Sequence, residues 1–71
     1  MSAEIVMSKV RAAIAARVEG KQSIPQIAAE LGVDPATVYR WADEDRNHYG
    51  RHLKAIGAIV QLATEADKAA A

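Results

Sequence analysis

An all-α fold is predicted, a three-helix helix-turn-helix domain followed by a C-terminal oligomerisation helix, and three observations predict it. The stretch from Ser23 to Trp41 sets Ile27, Ala28, Leu31, Gly32, Val33, Val38 and Trp41 where two short, steeply crossing helices need apolar contacts, a small residue and a tight turn. Ahead of it lies a segment of strong helix formers without proline or glycine, in which Met7, Val10, Ile14 and Val18 recur at helical spacing. Behind it, a last segment carries two apolar stripes where a helix packed on a three-helix body needs one.

With 71 residues there is room for one domain, spanning 1–71, and one small core. Hydrophobic residues make up 51% of the chain, but many are alanine and none is phenylalanine. A core of this kind supplies about 3 to 5 kcal/mol, so burial against a second copy of the chain is a natural supplement. Cysteine is absent, which fits a reducing compartment. Charges are scattered through the first twenty residues, and no segment approaches the roughly 20 apolar residues of a membrane span. A cytoplasmic protein without a membrane partner is expected.

The first helix runs from about Ala3 to Glu19, and Gly20 is its expected stop, because glycine takes the left-handed conformation that closes a helix. Lys9, Arg11 and Arg17 lie mostly off the apolar stripe and serve solubility. Ser23 opens the second helix through a Ser-x-x-Gln capping box with Gln26, and Pro25 in the first turn gives up a hydrogen bond that is not needed there. That helix ends near Leu31. Gly32 then permits the positive backbone angle of the turn, Val33 drops into the core, and Ala28 is small at the closest approach of the two helices.

Asp34 is the N-cap of the third helix and Pro35 its first residue, so the helix-turn-helix covers 23–44 with its second helix at 35–44. Val38 and Trp41 define the buried side of that helix. The opposite face carries Ala36, Tyr39, Arg40 and Asp43, with Thr37 and Glu44 on its flanks. A helix of this kind in a major groove meets base edges with its N-terminal half. Arg40 is then the candidate for a bidentate contact to guanine, Tyr39 for a base or phosphate contact, and Ala36 or Thr37 for a thymine methyl. Thr37 has a competing role as a phosphate anchor, and Tyr39 equally suits partial burial between helices.

Nine basic and nine acidic side chains give a net charge of zero, which by itself counts against a nucleic-acid partner. Their distribution counts the other way. Arg46, His48, Arg51, His52 and Lys54 follow one another with no acid between them, while Asp43, Glu44 and Asp45 form an acidic run just before. Arg46, His48, Arg51 and Lys54 are candidate phosphate contacts; the acidic run reads equally as solvated surface. His48 and His52 are four apart, a possible metal spacing, but without cysteine or a third histidine a closed site is not expected. No cofactor is expected. No nucleophile with an adjacent base, glycine-rich phosphate loop or pair of catalytic carboxylates can be assembled, so an enzyme is not expected either.

The fourth helix spans about 48–68, and the tail from Thr64 to Ala71 is expected to fray. Leu53, Ile56, Val60 and Ala63 form one stripe, and Ile59, Leu62 and Ala66 form the second, assigned to an oligomer interface.

The segment from about Ala13 to Trp41, with AAELGVDPATVYRW as its core, resembles the helix-turn-helix of the phage CII transcriptional activators and related prophage regulators, and the likeness continues loosely into the fourth helix. The resemblance implies a transcription regulator, activator or repressor, in a bacterial host cell. Such a protein binds double-stranded promoter or operator DNA as a homo-oligomer, dimer or tetramer, assembled through the fourth helix. Position by position it places Ala36, Thr37, Tyr39 and Arg40 on the recognition helix. The acidic run would then contact RNA polymerase. The chain lacks the longer C-terminal extension of CII proteins and is acidic at Asp43, Glu44 and Asp45, where a more basic segment is expected. Small terminase subunits and transposase N-terminal domains use nearly the same string, so a DNA-packaging or recombination module is an alternative. A protein-interaction module without DNA is another.

Overall fold

A computed structural model describes residues 2–43 and 52–70. They form four helices, α1 (Ala3–Glu19), α2 (Ile24–Leu31), α3 (Pro35–Ala42) and α4 (Leu53–Ala70), and no strand occurs among the described residues. The fold is all-α. Each start has a local cause. The Ser2 hydroxyl accepts from the Ile5 amide at the head of α1, a cap the spacing argument had not picked out. The box at Ser23 and Gln26 closes in both directions at the head of α2, at 3.3 and 2.8 Å, and Asp34 accepts from the Ala36 amide at 3.0 Å to start α3.

Packing is organised around α1, which lies along α4 on one side and meets α2 and α3 on the other. Met7, Val10 and Ile14 are buried as the stripe predicts, but Val18 is 45% exposed. The stripe widens to include Ala13, which turns the centre of the buried face away from Val18 and leaves it in an open groove with Ile24 and Ala42.

On α4 the assignment of the two stripes is reversed. Ile59 and Leu62 are 2% and 0% exposed and Ala66 packs against the core, so they are not available to an oligomer interface. The reason is the company they keep: Ala55 and Ala58 are buried on the same face of the helix, and small side chains there suit close packing of α4 on the rest of the fold. Leu53, Ile56 and Val60 face outward instead. The expected fraying from Thr64 onward is also overturned, since α4 is helical through Ala70. Two ion pairs hold its last turns: Lys9 Nζ lies 2.7 Å from Asp67 Oδ1, and Arg17 engages Glu65.

Arg17 is the side chain that ties α1 to both α2 and α4. Its Nε donates to Glu65 Oε2 on α4 at 3.1 Å, its Nη2 to the other oxygen of the same carboxylate, and its Nη1 to Glu30 Oε2 on α2 at 2.9 Å. Gln22 donates to the remaining Glu30 oxygen at 2.8 Å. Bonding to Glu65 raises the Arg17 pKa above the ordinary guanidinium value against the opposing effect of partial burial, and the charges of Glu65 and Glu30 add to the rise. A raised pKa in the folded state contributes stability at every pH below the ordinary value, lost only in strong alkali, so this contribution is constant across neutral pH. Both carboxylates are well exposed, which weakens each pair. Arg17→Met is expected to cost about 1 kcal/mol, read as a lower midpoint in urea unfolding, with the loss shrinking at high salt.

Candidate nucleic-acid interface

The turn between α2 and α3 is a Schellman closure. The Val33 amide donates to the Ala28 carbonyl at 3.0 Å and the Gly32 amide to the Ala29 carbonyl at 3.3 Å, with Gly32 at φ 71°. α2 and α3 are thereby fixed at the angle that lets Ile27, Ala28, Val38 and Trp41 share one core. The end of α3 is fixed as well. It stops at Ala42, two residues before the expected end, where Asp43 turns extended and Arg11 donates to the Asp43 carbonyl at 3.4 Å. Arg11 is therefore a cap on the C-terminus of α3, not a solubilising charge alone.

With both ends anchored and Val38 and Trp41 buried, α3 turns Ala36, Tyr39 and Arg40 to the outside. Tyr39 is 59% exposed, which favours the contact reading over burial between helices. The Arg40 guanidinium makes no hydrogen bond or ion pair with another described residue. Thr37 is half-buried and lies at the side, where it lines an open groove with Gly32, Asp34, His52 and Lys54. Thr37 and Lys54, separated by seventeen positions in the chain, are thus brought together beside the start of α3. Arg46, His48 and Arg51 lie outside the described residues, as do Glu44 and Asp45.

One candidate was not found from the sequence. The left-handed residue that closes α1 is Lys21, at φ 78°, while Gly20 has an ordinary φ of −77°. The same pair of closing bonds is present, Gln22 amide to Arg17 carbonyl and Lys21 amide to Val18 carbonyl, both 3.0 Å. A lysine therefore occupies, at a conformational cost, the position that Gly32 fills in the next turn. Its ammonium has no partner among the described residues. α1 ends at Glu19 with Gly20 as its C-cap, as expected, and only the positive angle passes from the glycine to the next residue.

Apart from Lys68 in the last turn of α4, the described lysines and arginines fall into two groups. Lys9, Arg11 and Arg17 are engaged within the fold, and Lys21, Arg40 and Lys54 project from the helix-turn-helix or the rim beside it. That second group consists of three exposed cations. No helix among the described residues is long and apolar enough to cross a membrane. Residues 8–50, more than half the chain, match the homeodomain-like domain family. No curated protein and no solved structure matches the chain.

Proposed function

Because this chain belongs to the homeodomain-like domain family, a small helix-turn-helix protein of the DNA-binding kind, we propose that it reads a specific double-stranded DNA sequence as a transcription regulator of phage or prophage type. The observation that carries this reading is the outer face of α3, where Ala36, Tyr39 and Arg40 are exposed on a helix anchored at both ends. Inserted in a major groove, that helix sets the Arg40 fork against the O6 and N7 acceptors of guanine, with Ala36 beside a thymine methyl. Thr37 and Lys54, at the groove beside the helix start, suit the flanking phosphates. In homeodomains the loop between the first two helices contacts the backbone, and here that loop carries Lys21.

A reading set of three side chains on an eight-residue helix covers only a few base pairs, so the protein acts as an oligomer on paired half-sites about one helical turn apart. Selection of sites from random duplex DNA by the purified protein tests the reading. Two spaced copies of one short motif are expected; recovery of no motif, with residual binding that vanishes as salt is added, would refute it.

Lys21 gives a second test with two opposite signs. Lys21→Gly is expected to raise stability by about 1 kcal/mol, by relieving the left-handed backbone. It is also expected to weaken DNA binding equally on all sequences, with the salt slope reduced by about one. Thermal melts and salt titrations measure the two effects; unchanged DNA binding would remove Lys21 from the interface.

A further inference from the structure

The groove beside the start of α3 has walls from the turn after α2, the first turn of α3 and the head of α4. His52 stands at that head, where its carbonyl accepts from the Ile56 amide at 3.0 Å as in the first turn of a helix. Its backbone is thereby fixed while its side chain is exposed, and the imidazole makes no hydrogen bond or ion pair with another described residue. Among the described residues that line the groove, Asp34 and Lys54 carry the only formal charges, one of each sign, and the Asp34 carboxylate already accepts from the Ala36 amide at 3.0 Å. Thr37 is polar and uncharged, and the other described walls are glycine or apolar. A neutral imidazole therefore leaves the groove without net charge, and an imidazolium makes it positive. Histidine is the side chain whose charge changes between about pH 5 and 8. The chain has two, His48 and His52, and the described structure places His52 in this groove.

With Ala36, Tyr39 and Arg40 turned into a major groove, the DNA backbone beside them passes the start of α3, where Thr37 offers a hydroxyl and Lys54 an ammonium. Asp34 by itself repels a phosphate there and Lys54 offsets it, so the remaining group decides the balance. A neutral imidazole offers one N–H donor without charge, whereas an imidazolium donates from both nitrogens and forms a charge-assisted bond to phosphate. We infer that His52 is a further phosphate contact beside Thr37 and Lys54, and that protonation of its imidazole strengthens DNA binding. This deepens the DNA reading above and rests on it. Phosphate favours the charged ring, so the complex takes up a proton as it forms, and affinity rises as pH falls through the range in which the ring titrates.

The test uses the full chain with the duplex recovered by site selection, or a random duplex where none is recovered. Affinity is measured by fluorescence anisotropy at about pH 5.5 and about pH 8, each across a range of salt. Binding is expected to be about fivefold tighter at the lower pH, with the salt slope steeper by about one. His52→Gln is expected to bind at both pH values as the wild type does at the higher, and His52→Arg at both as the wild type does at the lower. His48→Gln is expected to keep the pH dependence. Position 52 is exposed, so its two variants are expected to keep the helical signal in circular dichroism. A wild type of equal affinity at both pH values, a His52→Gln variant that keeps the pH dependence, or a His48→Gln variant that loses it would each overturn the inference. The outcomes also separate the two readings. A selected duplex bound equally at both pH values fails the inference alone. Binding that depends on His52 and pH without sequence selection fails the sequence reading alone, and a chain that binds no duplex at either pH fails both.

Discussion

Replacement of Trp41 by alanine is expected to unfold the protein. Trp41 is 4% exposed and is the bulkiest side chain in a core otherwise built from one methionine, aliphatic residues and four buried alanines. Truncating a buried tryptophan costs about 3 to 5 kcal/mol, made up of lost transfer energy and the cavity left behind. A core of this size contributes about the same amount. Four of the twelve buried core residues are alanines, which have no flexible side chains with which to fill a void, so relaxation is limited and the cost falls toward the upper end. The expected result is loss of the cooperative thermal transition by circular dichroism. A Trp41→Ala variant that melts near the wild-type temperature would mean that the helix-turn-helix pair is held by something other than this packing.

The neighbouring residue is expected to behave in the opposite way. Arg40→Ala should leave stability within about 0.5 kcal/mol of wild type, as for exposed sites without special contacts, and cost about 1 to 3 kcal/mol of binding at a single base position. In a site-selection experiment that is a motif relaxed at one position in each half-site and kept elsewhere. Arg40→Lys is not expected to restore it, because an ammonium cannot reproduce the two parallel bonds of the guanidinium fork. Uniform weakening across all sequences would instead make Arg40 a phosphate contact. A 100° step along α3 thus separates a residue whose loss removes the fold from one whose loss removes only its reading.

Much of the helix-turn-helix was legible because its determinants are local. Ser23 with Gln26, Asp34 with Pro35, and Gly32 all act within a few residues of themselves, and each is found in the predicted role. The exposure of Ala36, Tyr39 and Arg40 followed from the burial of Val38 and Trp41 on the same short helix. Gly20 caps α1 after Glu19 as expected, but the left-handed angle expected of it falls on Lys21, because a closing glycine and a closing left-handed residue are the same signal in a sequence and different residues here. Arg46, His48 and Arg51 lie outside the described residues, so the basic cluster is represented in the structure by His52 and Lys54.

Sequence alone settled where three of the helices begin and how the turn between α2 and α3 closes, since capping and backbone preference are properties of a few consecutive residues. Tertiary structure decided which stripe of α4 is core and which basic residues stay free. Both stripes have apolar residues at helical spacing, and only the packing of α4 on the rest of the fold, with Ala55 and Ala58 buried beside Ile59 and Leu62, leaves Leu53, Ile56 and Val60 outside. Arg17 meets Glu65 across 48 positions of chain, and Arg11 meets Asp43 across 32. Such pairs depend on how whole helices cross, a global packing outcome that no local pattern encodes.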